Sequence, residues 1–295
     1  MKKTDVVIAS NHHRRAPHFE ASMAKLQASG FNRILIQNTG SGSNASYHGP
    51  GQQFGSGPIP YDTAMQRLKQ RLQSEPAEII ALIDNDCFIA DPKQFQEYLK
   101  EFEASQFDFV CHGVSKHYND RYFTPDTTGD IVQVPDLKFI PDSSPFGFAP
   151  EPHFENAYLL MRKSVFDKLK VEDFRNSRQM IRAFTEAGGR IGMHRANYAG
   201  SHSHWGPGWF HAGALFGFYH HIEAGNVSAV RADSEFDKAR LGYFAAVERD
   251  TGVEWGSGFA GSLQRFYEKC GGKDECLSAW NRLVKGTCME EWPCI

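Results

Sequence analysis

Glu78-Ile79-Ile80-Ala81-Leu82-Ile83-Asp84-Asn85-Asp86 is the stretch on which the fold turns. A short apolar run rich in branched residues stops in two carboxylates one residue apart. The run predicts a buried strand, and in an α/β sheet functional groups collect where such strands end. Acids at i and i+2 in a turn repel each other unless something positive lies between them. A divalent cation answers that need, and hard oxygen ligands favour Mg²⁺, Mn²⁺ or Ca²⁺. A metal held at a strand end commonly serves a phosphate-bearing substrate. The alternative is a solvated acidic turn.

Outward from this stretch, strand-like and helix-like segments alternate. Val6 to Ala9 reads as the first strand, leading into a polar turn at Ser10-Asn11. Residues 16 to 29 place Phe19, Met23 and Leu26 on one helical face, with Gly30 as a stop. Arg33 to Gln37 is a second strand. The tract Thr39 to Pro58 is rich in Gly, Ser, Pro and Asn and reads as a long functional loop. A helix capped by Asp62 or Thr63 follows, with Met65, Leu68 and Leu72 inward. After the acidic turn, Asp91-Pro92 opens a third helix that carries Phe95, Leu99 and Phe102.

Phe107 to Cys111 and Asn156 to Met161 read as further strands, with an irregular stretch 113 to 154 between them. A short helix around Val165 to Leu169 and one over 176 to 187 precede a strand at Arg190 to Met193. From about residue 232 the chain reads as amphipathic helices. The order predicts an α/β fold: a mainly parallel sheet with helices on both faces over 1–231, and a C-terminal helical appendage over 232–295.

At 41% hydrophobic and 23% charged, the chain has the composition of a soluble globular protein. Its net charge of −3 gives no broad pull toward nucleic acid or anionic membrane. No segment approaches the ~20 apolar residues that span a bilayer. Asp5 and a very short apolar run argue against a signal peptide, so a cytoplasmic protein with no membrane span is expected. Cys87 and Cys111 read as small buried hydrophobes. Cys270, Cys276, Cys288 and Cys294 do not follow a common zinc spacing and read as reduced thiols, with disulfides or a metal site as the alternatives.

Four segments together resemble the GT-A class of nucleotide-sugar-dependent glycosyltransferases, in the style of its family-two-like group. They are Ser10-Asn11 after strand one, Gln37-Asn38-Thr39-Gly40-Ser41 after strand two, Ala81-Leu82-Ile83-Asp84-Asn85-Asp86 as a DxD motif, and Asn156-Ala157-Tyr158-Leu159-Leu160-Met161-Arg162-Lys163-Ser164-Val165-Phe166. The likeness spans roughly residues 4 to 210. It implies a GT-A (Rossmann-like) fold and transfer of a hexosyl or pentosyl group from a nucleotide-sugar donor, assisted by Mn²⁺ or Mg²⁺.

By the same resemblance Asp86 ligates the metal, and Asp84 contacts the nucleotide and the metal or its bound water. Ser10, Asn11, Asn38 and Asn85 line the nucleotide. A late His is a further metal ligand in many members, and here His202 or His204 stands near its place. The acid pair that supplies the base in such enzymes is not clear: the corresponding positions hold Asn176 and Ser177. Glu155 and Asp173 are the nearest catalytic candidates.

Other histidines and tryptophans read more plainly. His12-His13-Arg14-Arg15 is a solvated basic loop or a phosphate-steadying one. His220-His221 belongs to the core or the surface, and Trp205 and Trp209 pack or stack on a sugar or base. The acceptor stays open among a glycan, a small molecule and a modified nucleic-acid base. Two other functions compete. A non-catalytic nucleotide- or glycan-binding module would keep the fold without the base. A haloacid-dehalogenase-type phosphohydrolase also has an Asp-x-Asp after a strand, but Cys87-Phe88 stands where that group has a small turn.

Overall fold

The computed structural model describes residues 5–12, 17–40, 47–55, 57–85, 87–89, 92–112, 131–134, 137–143, 147–151, 155–194, 198–199, 204–206, 209–211, 221–222, 224–251, 255 and 257–284. Strand β1 (Val6–His12) is followed by α1 (Pro17–Ala28), β2 (Ile34–Asn38), β3 (Gln52–Phe54), α2 (Tyr61–Gln73), β4 (Ile79–Ile83), β5 (Cys87–Ile89), α3 (Pro92–Ala104) and β6 (Phe109–His112). Then come β7 (Ile131–Gln133), β8 (Lys138–Pro141), β9 (Phe148–Glu151), β10 (Glu155–Arg162), the single turn α4 (Lys163–Phe166), α5 (Ser177–Glu186), β11 (Ile191–His194), β12 (Tyr198–Ala199), β13 (His204–Gly206) and β14 (Trp209–His211). The last described helices are α6 (Glu235–Thr251), α7 (Ser257–Lys269) and α8 (Lys273–Val284).

Eight strands form the main sheet in the order β3-β2-β1-β4-β10-β6-β11-β7. β1 runs parallel to β2 and β4, β2 to β3, and β6 to β11. β10 is antiparallel to both its neighbours, and β7 is antiparallel to β11. β1, β2 and β4 are apolar on both faces because helices cover both. On one side Ile8, Ile36, Ala81 and Ile83 pack under α1 and α3; on the other Val7, Leu35, Ile80 and Leu82 pack under α2 and α5.

Each helix buries the stripe its spacing predicts. Phe19, Met23 and Leu26 of α1 are fully buried, and Gly30 follows at φ 95°, a left-handed stop that suits glycine. α2 buries Ala64, Met65, Leu68 and Leu72. Its N-cap is Pro60 instead of Asp62 or Thr63, and Asp62 stands in the first turn, where its charge favours the helix dipole. α3 starts on Pro92 and buries Phe95, Tyr98, Leu99 and Phe102.

Arg162, at the end of β10, holds the far end of α3. Its guanidinium donates to the carbonyls of Phe102, Glu103, Ser105 and Phe107 at 2.8–3.1 Å. These are carbonyls left over at and beyond a helix end, so this arginine has a structural task of its own. Lys69 is a fully buried cation. Its ammonium donates to the Phe166 carbonyl at 2.6 Å and lies 3.9 Å from the centre of that ring. Burial pushes its pKa down to about 8.

α6, α7 and α8 build a second apolar cluster around Leu241, Phe244, Phe266, Tyr267 and Trp280, and Ala21 of α1 joins it. Gly242 is where α6 and α8 touch backbone to backbone: a Cβ there would stand 1.8 Å from the Cys276 carbonyl oxygen. Cys270 and Cys276 are buried and form no disulfide, and the same holds for Cys87 and Cys111. Burial pushes the Cys276 thiol up to about 12. Among the described residues no helix is long and apolar enough to cross a membrane.

Three expectations change. Ser10 and Asn11 are not a turn; β1 continues through them to His12. His12 is consequently buried inside the sheet and is not part of a solvated loop. The tract after Thr39 is not structureless, since Gln52–Phe54 adds a parallel strand to β2.

Candidate functional site

The parallel strands β1, β2 and β4 all end at one edge, and each ends in polar residues. The register pairs Asn11 with Gln37 and His12 with Asn38. β4 aligns Leu82 with Ala9, so Asp84 and Asn85 continue level with Asn11 and His12. Alternation then sorts these residues into two sets. Asn11, Gln37 and Asp84 occupy the α2 side, and Asn11 Nδ2 lies 3.0 Å from Met65 Sδ of that helix. Ser10, His12, Asn38 and Asn85 occupy the α1 side, where Asn85 Nδ2 is 3.5 Å from His12 Nδ1.

The edge is dry and underpartnered. Ser10 and Gln37 have no exposed surface, and Asn11 is 8% exposed. Ser10 Oγ, Asn11 Oδ1, Asn38 Oδ1 and both amide atoms of Gln37 have no hydrogen-bond partner among the described residues. Buried polar atoms without partners cost roughly 1–3 kcal/mol each. Several stand together at the carboxyl edge of parallel strands, which makes that edge the candidate site for a polar ligand.

The α1 side is roofed by aromatics. The His12 ring stacks on Phe19 at 6.4 Å and meets Tyr47 edge-on at 5.3 Å. Burial, with the charge of Glu20 nearby, holds the Tyr47 phenol well above its ordinary pKa, so it stays protonated and donates to the Pro50 carbonyl.

A second sheet links the late histidine segment to β5, the strand that follows the acidic turn. Its order is β12-β13-β14-β5, all antiparallel, and β5 starts one residue after Asp86. The register puts His204 opposite His211, and His211 opposite Cys87. β5 is tied in turn to α1, because the Ile89 N–H donates to Ser22 Oγ at 3.0 Å. The Cys87 N–H donates to the Asp84 carbonyl at 2.9 Å and closes the acidic turn.

The remaining candidates fall as follows. Asp84 is half-buried at the edge; Asp86 and His202 lie outside the described residues, as do His13, Arg14, Arg15 and His220. His204 begins β13, and Trp205 and Trp209 lie in β13 and β14. His221 is exposed. Glu155 begins β10 opposite His112. Because β10 is antiparallel, its first residue stands at the edge where β4 and β6 end. The Asp173 carboxylate accepts the Lys170 N–H at 3.2 Å within a short turn. Asn176 is the N-cap of α5, accepting the Gln179 N–H at 3.0 Å.

Gln37 and His12 also stand at this edge; the sequence placed Gln37 at the end of strand two in the segment that resembles a nucleotide contact, and His12 in a basic loop, without choosing either as a site residue. The signal for Gln37 was present: two amides in succession ending an otherwise apolar strand.

No family model matches the sequence, and no curated protein matches it. Among solved structures the chain is similar to a putative glucose-1-phosphate thymidylyltransferase from Bacillus anthracis in complex with a sucrose: 12% identity, TM-score 0.42, covering 86% of this chain and 99% of that one. It is similar to TarS 1-349 from S. aureus at 8% identity and TM-score 0.38, covering 98% of this chain and 92% of that one. It is similar to HddC from Yersinia pseudotuberculosis at 13% identity and TM-score 0.35, covering 64% of this chain and 88% of that one. The fold stands on the strand order and register given above: a mainly parallel α/β sheet with helices on both faces and C-terminal helices, as expected for a GT-A-type chain.

Proposed function

We propose that the carboxyl edge of β1, β2 and β4 binds a nucleotide-sugar together with a divalent cation, and that the protein transfers the sugar to an acceptor hydroxyl. The observation that carries this reading is the set of buried, partnerless polar atoms on Ser10, Asn11, Gln37 and Asn38. They are neutral amides and a hydroxyl, suited to a base and a ribose, and they sit beside Asp84, an acid suited to a metal. Asp84 and Asp86 with His202 or His204 would hold Mn²⁺ or Mg²⁺: carboxylate oxygens fit both ions, and imidazole favours Mn²⁺. When bound, the cation neutralises the charge that builds on the departing diphosphate.

The protein's own groups do the rest. Asn11 and Gln37 fix the nucleoside on the α2 side of the sheet, and Ser10, Asn38 and Asn85 line the α1 side. Glu155 is the first candidate to take the acceptor proton, since β10 starts at this edge. Asp173 is the second, because its carboxylate is engaged with a backbone N–H.

Calorimetry with a nucleoside diphosphate, in Mn²⁺ and in chelator, tests the reading. Affinity should rise strongly with Mn²⁺, and Asp86→Ala should abolish that rise. Equal affinity under both conditions overturns it. One observation favours a second reading, a non-catalytic nucleotide- or glycan-binding module: Asn176 stands where an acid was expected, and it is used as a helix cap. Slow release of free nucleoside diphosphate from a nucleotide-sugar identifies the transferase.

A further inference from the structure

His12 is buried to 0% exposure in the middle of the candidate edge. Its carbonyl accepts both the Thr39 N–H at 2.8 Å and Thr39 Oγ1 at 3.2 Å, which fixes the start of the tract that follows β2. Its ring lies against Phe19 of α1 and against Tyr47 of the same tract. Its Nδ1 faces Asn85 Nδ2 at 3.5 Å, and Asn85 is the middle residue of the acidic turn. One residue therefore touches β2's exit, the described part of the tract, and the turn between β4 and β5.

Packing alone does not ask for a histidine here. A phenylalanine would fill the space between Phe19 and Tyr47 as well and would cost nothing in desolvation. The imidazole adds an acceptor at Nδ1, within reach of the Asn85 amide. An amide NH₂ can only donate, so the contact requires the neutral ring with its proton on Nε2.

We propose that His12 is a positioning residue that couples the acidic turn to the tract around Tyr47, by accepting the Asn85 amide at Nδ1. The tract is anchored on the other side by the His48 N–H donating to Glu20 Oε1 at 2.9 Å. Movement of the tract is transmitted through the ring to Asn85, and so to Asp84 and Asp86. The consequence for binding rests on the nucleotide-and-metal reading above; the coupling itself does not.

The test uses ligand-free hydrogen exchange on the full chain. His12→Asn places its side-chain oxygen near the Nδ1 position, whereas His12→Phe keeps the aromatic packing and removes the acceptor. The Phe variant should exchange at least tenfold faster in peptides covering 47–55 and 84–89 together, with α6, α7 and α8 unchanged. The Asn variant should stay near wild type. Asn85→Ala should reproduce the Phe pattern, and adding His12→Phe to it should change nothing further. Wild-type protection in both His12→Phe and Asn85→Ala overturns the proposal. So does equal loss of protection in the Asn and Phe variants, local or global.

Calorimetry with Mn²⁺ and a nucleoside diphosphate supplies the second arm, where the Phe variant should bind at least tenfold more weakly than the Asn variant. If the wild type shows no metal-linked nucleotide binding, the functional reading fails, and the exchange data still decide the role of His12.

Discussion

Gly242→Ala sets two forces against each other in the middle of α6. Helix propensity alone favours alanine by about 1 kcal/mol. The packing says the reverse. The new Cβ would lie 1.8 Å from the Cys276 carbonyl oxygen and 2.8 Å from Trp280 Cβ, both on α8. Cβ atoms do not approach other atoms closer than about 3.0 Å, so α6 and α8 must part by about 1.2 Å. The obstacle is backbone and cannot rotate away, and separation loosens the contacts of Leu241 and Trp280 in the second cluster.

Overpacking costs about 1–3 kcal/mol and sometimes more, and a backbone clash belongs at the upper end. The net loss should be about 2–4 kcal/mol, or roughly 5–10 °C in Tm for a chain of this size. Gly261→Ala is the control: Gly261 is exposed in α7, a Cβ there meets nothing within 4 Å, and the change should stabilise by about 0.5–1 kcal/mol. Urea denaturation of both variants reads the difference. If Gly242→Ala is as stable as wild type, or if both glycine variants shift in the same direction, the close approach of α6 and α8 is not as described.

Arg162→Ala should lose about 2–4 kcal/mol in the same assay, because four carbonyls around the end of α3 lose a charged donor; Arg162→Lys should recover less than half of that, since a single ammonium cannot reproduce the fork. Lys69 has a folded pKa of about 8 against an ordinary 10.5. Between those values the folded chain binds fewer protons than the unfolded one, so stability relative to Lys69→Met should rise with pH across that window. A flat or falling difference in pH-dependent denaturation refutes this. Removing residues 232–295 should uncover the Ala21 side of α1, and the remainder should aggregate or lose acceptor transfer; a truncated protein that stays monodisperse and fully active rules out docking of the helices on α1 as a functional requirement.

The parts of the fold that were legible in sequence are those where burial is continuous along the chain. Val6 to Ala9, Ile34 to Ile36 and Ile79 to Ile83 announce themselves as strands, because both faces are covered and every residue is apolar. Reading stops where a strand turns polar. Ser10, Asn11 and His12 look like a turn in sequence, yet they are strand residues paired with Ile36, Gln37 and Asn38 of β2. The second sheet was also hidden, since β5, β13 and β14 have three residues each and β5 joins β14 only across more than a hundred positions. Arg162 gave a motif without a reason; its reason is the end of α3, some sixty positions earlier.

The reversed direction of β10 shapes what this chain can vary. β6 leaves the sheet at His112 and β10 re-enters at Glu155, and these two residues are paired. The excursion between them begins and ends one strand spacing apart, at the same edge of the sheet at which β1, β2 and β4 end. Closing a loop whose ends are already neighbours costs only about 0.6 kcal/mol more for each doubling of its length. The stretches of it outside β7, β8 and β9 can change in length while the register of β4, β10 and β6 stays fixed, β7 itself being paired with β11. Only the antiparallel strand permits this, because a parallel β10 would have to start at the opposite edge, and the intervening chain would be spent on crossing the sheet.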